Sequence, residues 1–473
     1  MSTEKNKALK VEKKQTQDDV KEEANQQGGS LFGTLIRGVL IVGLLVFMLK
    51  PYLFDEAKED DGVSHIFVVQ GKTMGTDWSA RICASPRQIV AINEKLNDAA
   101  TPKNEDFEKE SKVVVDAEED AQFSSCEGLL ARVIQRELDK VDALASTYRA
   151  DSEVSKFNRS KSTEWFSTSP ETAEIVKRAL DISEKTNGAF DVTVAPLVNM
   201  YRFGPNKSPL TSFPTDEEIA KLKANVGYEK LNVRSEPTPG ICKSNPDLTI
   251  DLSGVAKGYS ADLVGKTLEE YGLTNYMVEV GGEIRCAGAK IDATTNERLP
   301  WVLGIQTPEV SMGDSGAEYA TPDIYRVLNL NLPETSGALA TSGDYHNFLQ
   351  VGDLRFSHIV DPRTGKPTEI VENAESSDVG ERLGSVSVVS TSTSALSCAD
   401  VDALATAFFV LGEKEGIELA NKLNVAVLYL FRSDDSATQL REAASNAFSA
   451  LDCRLADAAN VAPKEETIEK PEK

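Results

Sequence analysis

The chain has 473 residues, enough for one large decorated domain or two average ones, and 40 % of them are hydrophobic, so a sizeable core can form. Its 75 acidic and 51 basic residues leave a net charge of −24, which argues against a nucleic-acid phosphate backbone as partner. The six cysteines, Cys83, Cys126, Cys242, Cys286, Cys398 and Cys453, form no CxxC and no Cys/His cluster, which argues against a structural zinc site.

Residues 1–30 are charged and Gln-rich, and read as a disordered cytoplasmic tail. Residues 31–54 are apolar apart from Arg37, Lys50 and the end of the run, and are long enough to span a bilayer. Lys5, Lys7, Lys10, Lys13 and Lys14 precede this segment, and a mostly acidic stretch, 55–61, follows it. That asymmetry predicts an uncleaved single-pass signal anchor in an inner membrane, with the main domain on the extracytoplasmic side.

The main domain is expected over 64–455. Residues 64–83 predict a hairpin. Residues 85–122 are acidic and irregular and read as an insertion, whose base Cys83 and Cys126 could staple. Apolar spacing predicts helices over 129–144, 172–186, 261–270 and 402–411. Short β-rich stretches fall at 248–252, 276–280, 301–305, 325–330, 358–360, 385–389 and 425–431. The Lys/Glu/Pro-rich end from about 462 reads as a disordered tail. No regular βαβ alternation runs through this order, so the fold class is α+β.

Several motifs could carry chemistry. In Asp251-Leu-Ser-Gly-Val-Ala-Lys-Gly258, the glycines allow close ligand approach, the following helix start suits phosphate, and Lys257 adds charge. The same residues could be an ordinary strand–turn–helix junction. Val280-Gly-Gly-Glu283 marks a tight turn or a close ligand contact. In Asp400-Val-Asp402-Ala-Leu-Ala-Thr406, Asp402 and Thr406 lie one helical turn apart, which suits Mg²⁺ or an ordinary helix cap. His358 sits between an aromatic strand and an Asp-Pro turn, and His346 comes directly after Ala340-Thr-Ser-Gly-Asp-Tyr345. Met74 in Gly71-Lys-Thr-Met-Gly-Thr76 and Tyr148 in Ser146-Thr-Tyr148 could wall a flat aromatic ring or pack a core.

Taken in order, these stretches, together with Gly188-Ala-Phe-Asp191-Val-Thr-Val-Ala-Pro196, resemble the ApbE family, the FAD:protein FMN transferases. The resemblance implies an α+β, T-fold-related domain with FAD in a cleft, one Mg²⁺ at the pyrophosphate, and FMN transfer to a Ser or Thr hydroxyl of an acceptor flavoprotein subunit. It implies that Met74 and Tyr148 flank the flavin end, that Ala189, Phe190 and Asp191 contact FAD, and that Asp251 and Lys257 hold the nucleotide. It further implies Mg²⁺ on the Gly254 carbonyl, Asp402 and Thr406, a backbone contact from Ile359, and His358 as base. An FAD pyrophosphatase and a non-enzymatic FAD-binding protein are the competing expectations. The chain departs from many family members in lacking a lipid-accepting Cys after the apolar run. Its loops at 307–323 and 372–384 are also long for the family.

Overall fold

The computed structural model describes residues 65–92, 126–206, 208–292, 294–308, 324–332, 335–343, 348–352, 354–368, 370–372, 381–394, 396–433 and 440–456. The apolar segment 31–54, most of the acidic insertion, both long loops, His346 and the two tails lie outside them. Among the described residues no helix is long and apolar enough to cross a membrane.

The chain enters through an antiparallel hairpin, β1 (His65–Thr73) and β2 (Thr76–Ala84), closed by a two-residue turn at Met74 and Gly75. Both turn residues have positive φ, 47° and 77°, the handedness that matches strand twist. Helices α1 (Cys126–Ala145), α2 (Glu153–Arg159), α3 (Pro170–Lys185) and α4 (Ala195–Met200) come next. Ser152 and Ser169 cap α2 and α3 by accepting the backbone N–H of Ser155 and Thr172. After α5 (Ser253–Glu270) come β3 (Tyr276–Val280), β4 (Glu283–Ala287), β5 (Trp301–Gln306), β6 (Ile324–Leu330), β7 (Ser336–Gly343) and β8 (Glu381–Ser390). Helix α6 (Cys398–Leu423) and strands β9 (Ala426–Ser433), β10 (Leu440–Ala444) and β11 (Cys453–Leu455) lie beyond them in the chain.

Eight strands form one antiparallel sheet in the order β1-β2-β3-β4-β7-β8-β9-β10. Alternate side chains feed two cores. Ile82, Ala340, Val388 and Tyr429 point toward α1, α5 and α6, whereas Cys83, Leu339, Val389 and Leu428 point toward a small sheet ordered β5-β6-β11. The sheet is therefore covered on both faces, and the α+β expectation holds.

The two large helices cross at a glycine. A Cβ on Gly258 of α5 would lie 2.8 Å from Ala399 Cα, so only a bare backbone lets α6 approach this closely. Asp262, one turn further along α5, accepts the Cys398 and Ala399 N–H groups at 3.1 and 2.9 Å and so satisfies the start of α6.

Four expectations are corrected. Within 248–252, Leu248, Ile250 and Leu252 are buried, but the segment joins no sheet. The Asn158 amide instead satisfies both backbone groups of Ile250 at 2.8 Å, and the Asp251 N–H donates to the Val192 carbonyl. The strand expected at 358–360 ends at Ser357, leaving one isolated bridge between Val360 and Pro367. The helix expected from 261 starts at Ser253, so the Asp251–Gly258 motif lies mostly on the helix itself. Cys83 and Cys126 are both buried and free, because they face opposite sides of the sheet.

Candidate active site

A cleft of about 1250 Å³ opens where the Met74 turn, the start of α5, the Gly281-Gly282 turn, the end of β7 and the middle of α6 meet. It is lined by every residue expected from the motifs: Met74, Tyr148, Ala189, Phe190, Asp191, Asp251, Gly254, Lys257, His358, Ile359, Asp402 and Thr406.

One end of the cleft is charged and rich in oxygen. Asp402 is 3 % exposed, and its Oδ2 accepts the Gly258 N–H at 2.9 Å across the helix crossing. Thr406, one turn further along α6, shares a 3.1 Å hydrogen bond with the Ser342 hydroxyl. A Cβ on Gly254 would lie 3.6 Å from Thr406 Oγ1 and 3.1 Å from the Phe190 ring, so the glycine keeps this corner open. Lys257 Nζ lies 3.2 Å from Glu283 Oε1 and 3.6 Å from Asp402 Oδ1.

Burial pushes the Asp402 carboxyl up, with the Lys257 ammonium as the main opposing influence. Burial likewise pushes the Glu283 carboxyl up, with the Lys257 ammonium again the main opposing influence. For Lys257 burial acts downward, but the two carboxylates together hold it above its ordinary range. Among the described residues no group of three or more His, Cys, Asp or Glu side chains converges as an all-protein metal cage. Magnesium needs no such cage, because it keeps waters and ligand phosphates in its shell. The buried carboxylate, the hydroxyl and the open glycine corner are a hard-oxygen donor set that fits it.

The other wall is aromatic. Tyr148 is 61 % exposed, with its hydroxyl donating to the Phe203 carbonyl at 3.2 Å. The Phe203 ring meets His358 edge-on at 6.0 Å. Met74 reaches the cleft from a left-handed turn position, a backbone strain of the kind that gathers at functional sites.

The remaining expected residues are tied into the protein. Asp251 Oδ1 accepts the Ser253 N–H at 2.9 Å. The Ile359 N–H donates to Ser357 Oγ, and its carbonyl accepts from both the N–H and the hydroxyl of Thr368. The backbone contact expected from Ile359 therefore meets a backbone already in use. Glu283, Ser342 and Phe203 line the cleft without having been singled out from the sequence. Glu283 follows the Gly-Gly pair and Ser342 sits in the Ala340–Tyr345 motif, but neither pattern alone assigned them a role.

Asp191 accepts from the N–H and hydroxyl of Thr193 and from the Tyr228 N–H, yet burial outweighs these bonds and pushes its carboxyl up to about 6. The folded protein thus holds this proton at pH values where the unfolded chain, near 3.8, has lost it. Stability should therefore fall as pH rises from about 4 to 6, by at most roughly 3 kcal/mol from this group. Denaturant titrations of the wild type and Asp191→Asn across that window measure the difference. An unfolding free-energy difference that stays flat with pH would show an Asp191 ionised throughout.

The ApbE family model matches residues 74–429. This chain belongs to the ApbE family. Among ApbE relatives, the FAD:protein FMN transferase of Vibrio cholerae is 38 % identical over 315 residues, covering 67 % of this chain and 82 % of the relative. The FAD:protein FMN transferase of Haemophilus influenzae is 35 % identical over 399 residues, covering 84 % and 94 %. The solved structure of the flavin transferase ApbE from Vibrio cholerae aligns at a TM-score of 0.58 with 31 % identity, over 82 % of this chain and 99 % of that one. The apo Pseudomonas stutzeri flavinyl transferase ApbE aligns at 0.59 with 25 % identity, over 82 % and 97 %.

Proposed function

We propose that this protein is an FAD:protein FMN transferase that moves FMN from FAD onto a Ser or Thr hydroxyl of an acceptor flavoprotein subunit and releases AMP. The observation that carries the reading is the convergence of Gly254, Lys257, Asp402 and Thr406 in the same cleft as His358 and the Tyr148 wall.

The Gly254 carbonyl, Asp402 and Thr406 would hold Mg²⁺, which when bound supplies positive charge against the diphosphate. Lys257, held beside Glu283 on the same side of the cleft, adds its positive charge to the field at those phosphates. Met74 and Tyr148 flank the flavin, while the 189–191 segment and Asp251 orient the nucleotide. His358 takes the proton from the acceptor hydroxyl. That oxygen bonds to the FMN phosphorus as the bond from phosphorus to the AMP oxygen breaks. The rest of the catalysis is alignment of hydroxyl and phosphorus.

The test is mass spectrometry of a candidate acceptor incubated with this protein, FAD and Mg²⁺. The expected result is an FMN adduct that survives denaturation, with one AMP released for each. Free FMN plus AMP would make water the acceptor instead, and intact FAD would leave a binding protein. The enzyme itself should carry no adduct. The family resemblance implies a Ser/Asp-Gly-Ala-Thr/Ser acceptor, and the two Ser-Gly-Ala strings here, Ser315-Gly-Ala-Glu318 and Ser336-Gly-Ala-Leu339, both lack the final hydroxyl. An FMN adduct on the purified protein would contradict this.

The same reading places the domain outside the cytoplasm, tethered by residues 31–54. The native protein should sediment with inner membranes and require detergent for release. Recovery of an intact N-terminus in the soluble fraction would overturn the anchor.

A further inference from the structure

We propose that Glu283 is a positioning residue that draws Lys257 off Asp402 when the cation binds. The inference rests on the flavin-transfer reading and extends it to a residue with no assigned role.

The Gly281-Gly282 turn builds the contact. Both glycines have positive φ, 61° and 99°. A Cβ on Gly281 would lie 3.1 Å from Lys257 Cδ and 2.8 Å from the Thr76 methyl, so the bare glycine lets the lysine stem pass over the turn. Directly beyond it, Glu283 is 3 % exposed, with Oε1 3.2 Å from the Lys257 ammonium. Its other oxygen, Oε2, is buried and has no hydrogen-bond partner among the described residues. A buried carboxylate oxygen without a donor is costly unless a positive group closes on it in some state of the cycle.

The ammonium has two places to be. It also lies 3.6 Å from Asp402 Oδ1. That oxygen is the one left for a cation, because Oδ2 already takes the Gly258 N–H. An ammonium and a divalent ion repel each other there, so Lys257 must withdraw as the ion arrives. Glu283 supplies the counter-charge it withdraws to, and Oε2 gives it a second oxygen. Glutamine at 283 keeps the shape but loses the charge. Lys257 then stays on Asp402 and competes with the cation.

The test is calorimetric titration of Mg²⁺ into the full-length protein, without and with FAD, with thermal unfolding as the check on folding. E283Q should weaken Mg²⁺ binding by about fivefold or more in the wild-type background and by less than about twofold in K257M, since Glu283 acts through the lysine. E283D keeps the charge but shortens the reach, so it should weaken binding to an intermediate degree, again only where Lys257 is present. It carries the same comparison if E283Q does not fold. An equal penalty in both backgrounds would mean that Glu283 acts on the cation itself, and no penalty in the wild-type background would mean that it has no part. Either result overturns the proposal and leaves flavin transfer standing. A wild type that takes up no Mg²⁺ overturns the proposed cation site along with it.

Discussion

Asp402→Ala should abolish flavin transfer even in saturating Mg²⁺ while the protein still folds and still binds FAD. Asp402 is the one side-chain carboxylate in the proposed donor set, and a hard cation without it is left with a hydroxyl and a carbonyl. The fold should tolerate the change. Position 402 lies inside α6, where alanine is the best helix former. Lys257 keeps its ion pair with Glu283. Loss of Asp402 takes away the Gly258 hydrogen bond but also a carboxylate that burial disfavours, so the melting temperature should stay close to that of the wild type. Acceptor mass, FAD titration and a thermal melt measure all three quantities. Transfer at the wild-type rate would remove Asp402 from the site. A collapse of the melt together with the rate would make it a structural residue.

His358→Asn should slow transfer by about 10²–10⁴-fold, the usual contribution of one positioned general base, with little change in FAD affinity or stability. The rival role is to prop the following turn, which has many bonds of its own. Asp361 accepts from the Arg363 N–H and guanidinium at 2.8 and 3.0 Å, the Asp361 N–H donates to the Lys366 carbonyl, and the Gly365 N–H donates back to the Asp361 carbonyl at 2.7 Å. The turn is held by these bonds and by the Tyr201 hydroxyl, which donates to the Gly365 carbonyl at 3.1 Å. Single-turnover rates, FAD titration and melting separate the two roles. FAD affinity and melting temperature falling in step with the rate would assign His358 to structure, and an unchanged rate would deny it both roles.

Helices α1 and α3 and the entry hairpin were legible because their apolar residues repeat at the periods those elements demand, whereas the short α2 and α4 read as loops. Leu130, Val133, Ile134, Leu138 and Val141 mark the buried face of α1, and Ile175, Val176, Ala179 and Ile182 that of α3. The least legible element was β7, a strand in the interior of the main sheet. Its sequence, SGALATSG, has no run of β-branched or aromatic residues, because cores press on it from both faces and leave room for small side chains. The segment 248–252 misled in the opposite sense: it is apolar enough for a strand, yet an asparagine ninety-two residues earlier satisfies its backbone. In the site, the spacing of Asp402 and Thr406 on one helix fitted a helix cap as well as a cation, and only the family resemblance singled them out. Glu283 was not singled out, since its meaning depends on Lys257, which the fold brings beside it from another element.

The hydrogen bond from Gly258 to Asp402 joins residues 144 positions apart in the chain. A nascent chain synthesised as far as the end of β8 already holds Met74, Tyr148, Lys257 and His358. It lacks Asp402 and Thr406, and the Gly258 N–H has no partner from α6. On the proposed mechanism, catalytic competence therefore does not accumulate during synthesis but waits for α6 to emerge and dock, and an unfinished chain that meets FAD should leave it intact.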